Sequence, residues 1–314
     1  MKQLIAKIIL ALAGISILVA SLILAANKTS NTAKIISTSF VGYDFARAVT
    51  GDKDAAMMLL KPGAEMHSYE PTPQDIANIK NAKLFIYIGG ESEQWVEKIL
   101  ADNNISSDHC LRLMDFVTPK EEEQKAGMES EEEEEEGEKE YDEHIWTSIP
   151  NAIRLVNAIR DKITSLDMGK QEQYSKNAET YTARLSEIDT KLRSIATQKN
   201  DRTLIFGDRF PFRYFVDEYG LDYYAAFPGC SDQTEASANT VAFLTEKAKE
   251  LGVKAIFKIE MSSDKLAQTI AEEVGARVYT LHAAHNISED EFASGLSYAE
   301  IMEQNAKTLT EALN

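Results

Sequence analysis

The stretch KQEQYSKNAETYTARLSEIDTKLRSIATQK, residues 170–199, decides how the chain is organised, because its thirty residues contain neither glycine nor proline. Its apolar positions follow one another at alternating spacings of four and three: Tyr174, Ala178, Tyr181, Leu185, Ile188, Leu192 and Ile195. This spacing places them on one face of a helix about 45 Å long at 1.5 Å per residue. A short coiled coil would show the same seam. Because the seam lies between two segments that alternate strand and helix, we favour one helix packed against both segments.

The segments on either side of this helix alternate apolar runs with amphipathic stretches, which is typical of parallel βα units. Before the helix we predict strands at 34–39, 56–60 and 84–88 and helices at 43–50, 73–81, 95–100 and 151–165. After it we predict strands at 203–206, 222–227, 255–259 and 277–281 and helices at 211–219, 240–251, 264–274 and 298–313. The helix at 73 has the clearest start, with Thr72 as N-cap, Pro73 at N1 and Asp75 at N3.

The predicted fold class is therefore α/β, with two βα lobes bridged by one long helix. The predicted parts are an N-terminal lobe at 34–166, the bridging helix at 168–200 and a C-terminal lobe at 201–314. Ligands of such sheets bind at the carboxyl ends of the strands, so the cleft between the lobes is the expected site.

The charge of the chain is concentrated in one insert. The 314 residues hold 33 Lys and Arg and 51 Asp and Glu, a net charge of −18. Residues 121–143 account for −12 of this charge, with thirteen glutamates, Asp142 and two lysines. Such an acidic chain has no basic excess with which to bind nucleic acid. We expect 119–142 to be a disordered, solvated insert.

The first 27 residues are typical of a segment that directs a chain to the membrane. Lys2 and Lys7 precede an uncharged run at 8–27, which predicts a signal peptide or an uncleaved N-terminal anchor. In either case the rest of the chain lies outside the cytoplasm, secreted or membrane-associated. Leu24-Ala25-Ala26 is similar to the start of a bacterial lipobox, but Asn27 stands where the lipidated cysteine would be. No second hydrophobic span is present, which argues against a channel or permease.

Three histidines lie after a predicted strand or after the acidic insert. His67 follows a predicted strand, His144 follows the insert and His282 ends the last predicted strand. All three are expected at the cleft, where imidazoles from separate loops suit a borderline cation such as Zn²⁺. His109, beside Cys110, is interpreted as structural. The two cysteines, Cys110 and Cys230, exclude a disulfide-dense scaffold, and their redox state is left open.

Two segments resemble a known family. Residues 62–75, PGAEMHSYEPTPQD, and 142–146, DEHIW, are similar to the two metal-ligand segments of the cluster A-I substrate-binding proteins of zinc and manganese ABC importers. The resemblance implies two Rossmann-like lobes bridged by a rigid helix, with the metal in the cleft between them. It also implies that His67 and His144 are metal ligands, and His282 falls where the family usually places a ligand near the last strand.

The resemblance leaves a fourth ligand open. Gly207 falls where family members generally have His or Glu, so this position supplies no side chain. The candidates to complete the shell, besides water, are Asp208, His285, Glu65 and Glu235. For Asp208 we favour a salt bridge with Arg209 or a helix N-cap, and for His285 solvent exposure.

The predicted function is that of a binding protein that captures Zn²⁺, with Mn²⁺ as the alternative, and delivers it to an ABC permease and its ATPase. The chain is expected to be a monomer without enzymatic activity. A manganese-binding member or adhesin of the same fold is one alternative. A metallohydrolase is another, although the chain lacks His-Glu-x-x-His and Gly-x-Ser-x-Gly.

The acidic insert has a possible function of its own. Its glutamates would concentrate divalent cations near the cleft with little selectivity for zinc. The run that would do this comprises Glu131, Glu132, Glu133, Glu134, Glu135 and Glu136.

Overall fold

The computed structural model describes residues 35–129, 140–197, 203–231 and 235–313. The strands of the first lobe are β1 (Ile35–Ser37), β2 (Ala56–Met58), β3 (Leu84–Tyr87) and β4 (Cys110–Arg112). They form a parallel sheet in the order β2-β1-β3-β4. The helices of this lobe are α1 (Phe40–Thr50), α2 (Pro73–Asn81), α3 (Gln94–Asp102) and α4 (Ile149–Leu166). Thr72 and Asp75 form the predicted capping box at the start of α2.

The second lobe repeats this arrangement after the helix α5 (Gln171–Thr197). Its strands are β5 (Thr203–Arg209), β6 (Asp222–Phe227), β7 (Ala255–Lys258) and β8 (Arg277–Thr280), parallel in the order β6-β5-β7-β8. Its helices are α6 (Arg213–Tyr219), α7 (Ala238–Leu251), α8 (Lys265–Val274), α9 (Glu289–Ser294) and α10 (Tyr298–Ala312). The two parallel sheets and the long helix confirm the predicted α/β fold of two lobes. The short helix α9 was not among the predicted elements.

Helix α5 contacts elements of both lobes. It packs against α1 and α4 of the first lobe and against α6 and α10, which follow in the second. The seam residues Tyr174, Ala178, Leu185, Ile188 and Leu192 are buried, and Tyr181 and Ile195 are partly buried. The seam therefore serves a helix packed into the core of one chain, as predicted, and the described residues provide its partners without a second coiled-coil strand.

The C-terminal helix α10 crosses back to the first lobe, which the predicted division into lobes did not include. Its first amide, Tyr298 N, donates to Asp44 Oδ2 of α1 at 3.0 Å. The Tyr181 hydroxyl of α5 donates to the same oxygen at 2.7 Å. Burial raises the pKa of Asp44, although both hydrogen bonds act in the opposite direction. One buried carboxyl group thus joins α1, α5 and α10.

The ends of the acidic insert differ from the disordered loop that we expected at 119–142. Backbone hydrogen bonds pair its two ends, from Glu122 N to Glu140 O at 3.0 Å and from Asp142 N to Lys120 O at 2.9 Å. Its first arm also reaches the second lobe, where Glu129 N donates to Ala226 O of β6 at 2.9 Å. Backbone hydrogen bonds therefore hold the described ends of the insert to each other and to the edge strand β6. The glutamates at 131–136 lie outside the described residues, so their proposed attraction of cations stays a prediction.

The segment at 1–27 also lies outside the described residues, and its role as a signal or anchor stays a prediction. Within the described ranges, no helix combines the length and the apolar character needed to cross a membrane.

At Gly207 the strand β5 lies close against the helix α8 of the second lobe. A Cβ atom on this residue would lie 2.5 Å from Ala267 Cα and 2.8 Å from Ala267 N of α8. The strand position that lacks the family's ligand thus faces α8, and a side chain there would meet backbone rather than the cleft.

We expect Gly207→Ala to lower the free energy of unfolding by about 1–3 kcal/mol, because the added methyl group would force β5 and α8 apart. Urea unfolding of the metal-free protein measures this change. Gly169→Ala is the matched control, since its Cβ would meet only Asp167 Oδ1 at 3.6 Å. Equal unfolding midpoints for the two variants would contradict the close approach.

Candidate metal centre

Three histidines from separate loops meet between the lobes. His67 lies in the loop that follows β2, and His144 precedes the 3₁₀ turn Ile145–Thr147. His285 lies in the loop between β8 and α9. Two of these loops follow the carboxyl ends of parallel strands, where ligands of such sheets bind.

The three imidazole rings converge on one point. Their ring centroids are separated by 5.7 Å for His67 and His144, 5.2 Å for His67 and His285, and 4.2 Å for His144 and His285. One ring nitrogen from each lies within 4.8 Å of the others. All three Nε2 atoms are buried without a hydrogen-bond partner. Buried polar atoms are normally paired, so three unpaired nitrogens facing one another fit a metal ion.

Two carboxylates set the orientation of two of the rings. Glu143 Oε1 lies 3.1 Å from His67 Nδ1, and Asp142 Oδ1 lies 3.0 Å from His144 Nδ1. A carboxylate behind Nδ1 fixes the ring and increases the basicity of the ligand, as is usual for metal-binding histidine. The opposite nitrogen, Nε2, is then directed to the centre. The segment Asp142-Glu143-His144 therefore contains one candidate ligand and the carboxylates that support two of them.

Burial and nearby charges shift the pKa values of the groups in the site in different directions. The pKa of His285 is lowered well below its ordinary value by burial and by the neighbouring imidazoles of His144 and His67. Burial also acts to lower the pKa of His144, but the Asp142 carboxylate outweighs it and raises that pKa. Burial would raise the pKa of Glu143, but the contact with His67 lowers it. The site thus contains a neutral imidazole beside carboxylates that favour a bound cation.

The loop that carries His285 is held by two polar side chains. Glu260, which follows β7, accepts hydrogen bonds from Ala283 N at 2.7 Å and His285 N at 3.2 Å. Asn286 Nδ2 donates to the carbonyls of Lys61 and Ala64, next to His67, at 2.6 and 2.8 Å. The loop of the second lobe is therefore tied directly to the ligand loop of the first.

His282, our expected third ligand, lies outside this group. Its Nδ1 accepts a hydrogen bond from Ala284 N at 2.9 Å and lies 3.5 Å from Glu260 Oε1. Its Nε2 lies 3.8 Å from Glu291 Oε1, in a separate cleft of about 560 Å³. Ala284 has φ = 60°, a left-handed turn that separates the directions of His282 and His285. The structure thus brings His285, which we expected to be exposed, to His67 and His144.

The other candidate ligands have different surroundings. Asp208 Oδ2 accepts from Ile259 N at 3.0 Å and from the Ser262 hydroxyl, and its Oδ1 accepts from Arg209 N. Asp208 thus fixes the loop after β7.

Glu65 forms an ion pair with Arg209 at 2.9 Å, and its other oxygen accepts from Met66 N at 3.0 Å. Glu235 is exposed. Among the described residues, two groups of donors converge closely enough to hold a metal ion: the three histidines, and His67 with Glu143 and Cys230. The carboxylates of Asp208, Glu65 and Glu235 belong to neither group.

A second group of donors shares His67. Ligand atoms of His67, Glu143 and Cys230 lie within 4.8 Å of one another. Cys230 follows β6, and it is a free thiol, as is Cys110. Burial and then the charges of Glu122, Glu143 and Asp142 raise the pKa of Cys230 well above its ordinary value. No pattern in the sequence singles out this cysteine, because only folding brings it next to His67.

The chain matches the family described as ZnuA, zinc-uptake complex component A, periplasmic, over residues 35–312. It is 33% identical over 282 residues to the high-affinity zinc uptake system protein ZnuA of Bacillus subtilis, covering 89% of this chain and 87% of that protein. It is 30% identical over 283 residues to the zinc-binding lipoprotein AdcA of Streptococcus pneumoniae, covering 88% of this chain and 55% of AdcA. The chain thus spans about half the length of AdcA.

Solved structures show the same fold. The Zn(II)-bound ZnuA-like domain of S. pneumoniae AdcA superposes with a TM-score of 0.73 at 28% identity, covering 89% of this chain and 98% of that domain. The metal-dependent lipoprotein YcdH of B. subtilis superposes with a TM-score of 0.74 at 30% identity, covering 89% and 99%.

The placement of the two C-terminal histidines predicts unequal effects of their removal. We expect His285→Ala to weaken zinc binding by about 100-fold or more, since loss of a supporting partner alone costs about 10–100-fold. His282→Ala should change it by no more than about threefold. Competition with a chromophoric chelator measures both affinities. The reverse ranking would show that His282 is the ligand.

The buried side chain of Glu93 should make the stability of the metal-free protein depend on pH. Its side chain is buried, and its Oε2 accepts from Gly89 N at 2.7 Å. Burial raises the pKa of Glu93 from 4.5 to about 7. Between these values the folded protein holds a proton that the unfolded chain has lost, so this group lowers stability as pH rises.

We therefore expect Glu93→Gln to lose less thermal stability than the parent protein between pH 5 and pH 8, measured without metal. Glu91→Gln, on the exposed side of the same turn, should follow the parent protein. If Glu93→Gln follows it as well, the raised pKa is wrong.

Proposed function

The chain belongs to the ZnuA family of zinc-uptake complex components, and from this we propose that it binds Zn²⁺ outside the cytoplasmic membrane and passes it to an ABC permease. The permease would work with a cytoplasmic ATPase. The chain acts on its ligand by binding alone. The observation that carries the proposal is the convergence of three buried, unpaired Nε2 atoms.

The chemistry of the donors favours zinc over manganese. Imidazole nitrogen suits Zn²⁺, whereas Mn²⁺ is better matched by carboxylate, carbonyl and water oxygen. His67, His144 and His285 supply three nitrogens, and a fourth ligand would complete the tetrahedron that Zn²⁺ adopts. The carboxylates of Asp142 and Glu143 lie behind two of the rings, where they increase the basicity of the imidazole ligands.

The division of the ligands between lobes provides a route to release. His67 and His144 belong to the first lobe, and His285 belongs to the second. A bound ion therefore links the lobes, and separating them removes one of the three ligands. A permease that binds the more open form would lower the affinity for the ion, because a partner shifts an equilibrium by its differential affinity for the two forms.

Titration of the metal-free protein tests the proposal. We expect it to bind one equivalent of Zn²⁺ at the three-histidine centre at least about tenfold more tightly than Mn²⁺. His67→Ala and His144→Ala should each lose most of the zinc affinity while remaining folded by circular dichroism. Isothermal titration with each metal makes the measurement.

Two results would contradict this account. A protein that binds neither metal would exclude a metal-capture function. Tighter binding of Mn²⁺ than Zn²⁺ would favour the manganese-binding alternative.

A further inference from the structure

Cys230 is a partly buried free thiol, and its neighbourhood is unlike that of a cysteine that packs as a small apolar side chain. Cys230 shares a cluster with His67 and Glu143, in which one ligand atom of each lies within 4.8 Å of the others. His67 and Glu143 have side chains that are 7% and 1% exposed. The Nε2 atom of His67 is buried without a hydrogen-bond partner. The cysteine is therefore grouped with two buried donors, one of which has an unpaired nitrogen.

The two donor groups are neighbours but not one set. His67 belongs to both, whereas His144 and His285 belong to the first and Glu143 and Cys230 to the second. A cation in the second group would have nitrogen, oxygen and sulfur ligands. Thiolate sulfur is a soft ligand that binds Zn²⁺ and other thiophilic ions and is poorly suited to Mg²⁺, Ca²⁺ or Mn²⁺.

The charges around the thiol also favour a cation. The Cys230 amide donates to Glu122 Oε1 at 3.0 Å. Glu143 and Asp142 also act on the thiol electrostatically. Three carboxylates near this partly buried thiol disfavour a bare thiolate, but they favour a divalent cation that the thiolate would bind.

We propose that His67, Glu143 and Cys230 form a second position for a thiophilic divalent cation, next to the three-histidine centre and sharing His67 with it. Binding there replaces the thiol proton, which passes to solvent, and forms a metal–sulfur bond without any change of oxidation state. The inference rests on the proposed function and adds a sulfur ligand to it.

Cobalt(II) is the probe, because it replaces Zn²⁺ and is coloured. Visible d–d bands report binding at any low-symmetry site, whereas an intense near-ultraviolet charge-transfer band reports a thiolate ligand. We expect the metal-free protein to show both bands when it is titrated with Co²⁺. Cys230→Ser should lose the near-ultraviolet band and keep the visible bands.

Cys110→Ser is the matched control. Cys110 lies at the start of β4, where its thiol donates to Ser106 O at 3.6 Å, and we expect this variant to keep both bands. The double variant His144→Ala, His285→Ala removes two ligands of the first centre and should keep the near-ultraviolet band.

The outcomes separate the two proposals. Visible bands without a charge-transfer band in the parent protein would overturn the thiolate position and leave the three-histidine centre standing. Loss of the charge-transfer band in the double histidine variant would overturn a separate position. Absence of every cobalt band would count against both the second position and the proposed function.

Discussion

Trp146 joins the two lobes at the point where the histidines meet. Its indole Nε1 donates to Ala283 O at 2.7 Å, and its own carbonyl accepts from the Tyr298 hydroxyl at 2.6 Å. Its ring lies 5.6 Å from the ring of His144 and 5.8 Å from that of His285. A fully buried aromatic side chain of this size contributes a large apolar contact, and both of its polar groups are paired. Trp146 thus links the loop of the second lobe, the helix α10 and the rings of His144 and His285.

The candidate metal centre is one of the places in the described residues where buried polar atoms lack a hydrogen-bond partner. Each unpaired buried group costs about 1–3 kcal/mol, and three Nε2 atoms lie in this state. A ligand that binds the folded state alone stabilises it. The same unpaired nitrogens therefore explain both a weakness of the metal-free protein and its affinity for a cation.

Patterns that depend on neighbouring residues could be predicted from the sequence. The seam of α5 and the capping box of Thr72 and Asp75 follow from spacing alone, and both are present. His67 and His144 could be expected in the cleft, because His67 follows a predicted strand and His144 follows the acidic insert. The choice between His282 and His285 could not be predicted, because it depends on the left-handed turn at Ala284 and on the hydrogen bonds that Glu260 accepts from this loop.

Long-range packing also escaped prediction. The contact of Gly207 with α8 and the pairing of Glu129 with β6 join residues distant in sequence. Helix α9 had a local signal, since Ser288 and Glu291 form a capping box, but its six residues are too few to show helical periodicity.

Anomalous diffraction at the zinc absorption edge from crystals of the zinc-loaded protein tests the central claim most directly. The account predicts a peak bonded to Nε2 of His67, His144 and His285, at the roughly 2.0–2.1 Å typical of zinc and histidine. A principal peak beside His282, Glu260 and Glu291, with the three Nε2 atoms unbonded, would contradict it.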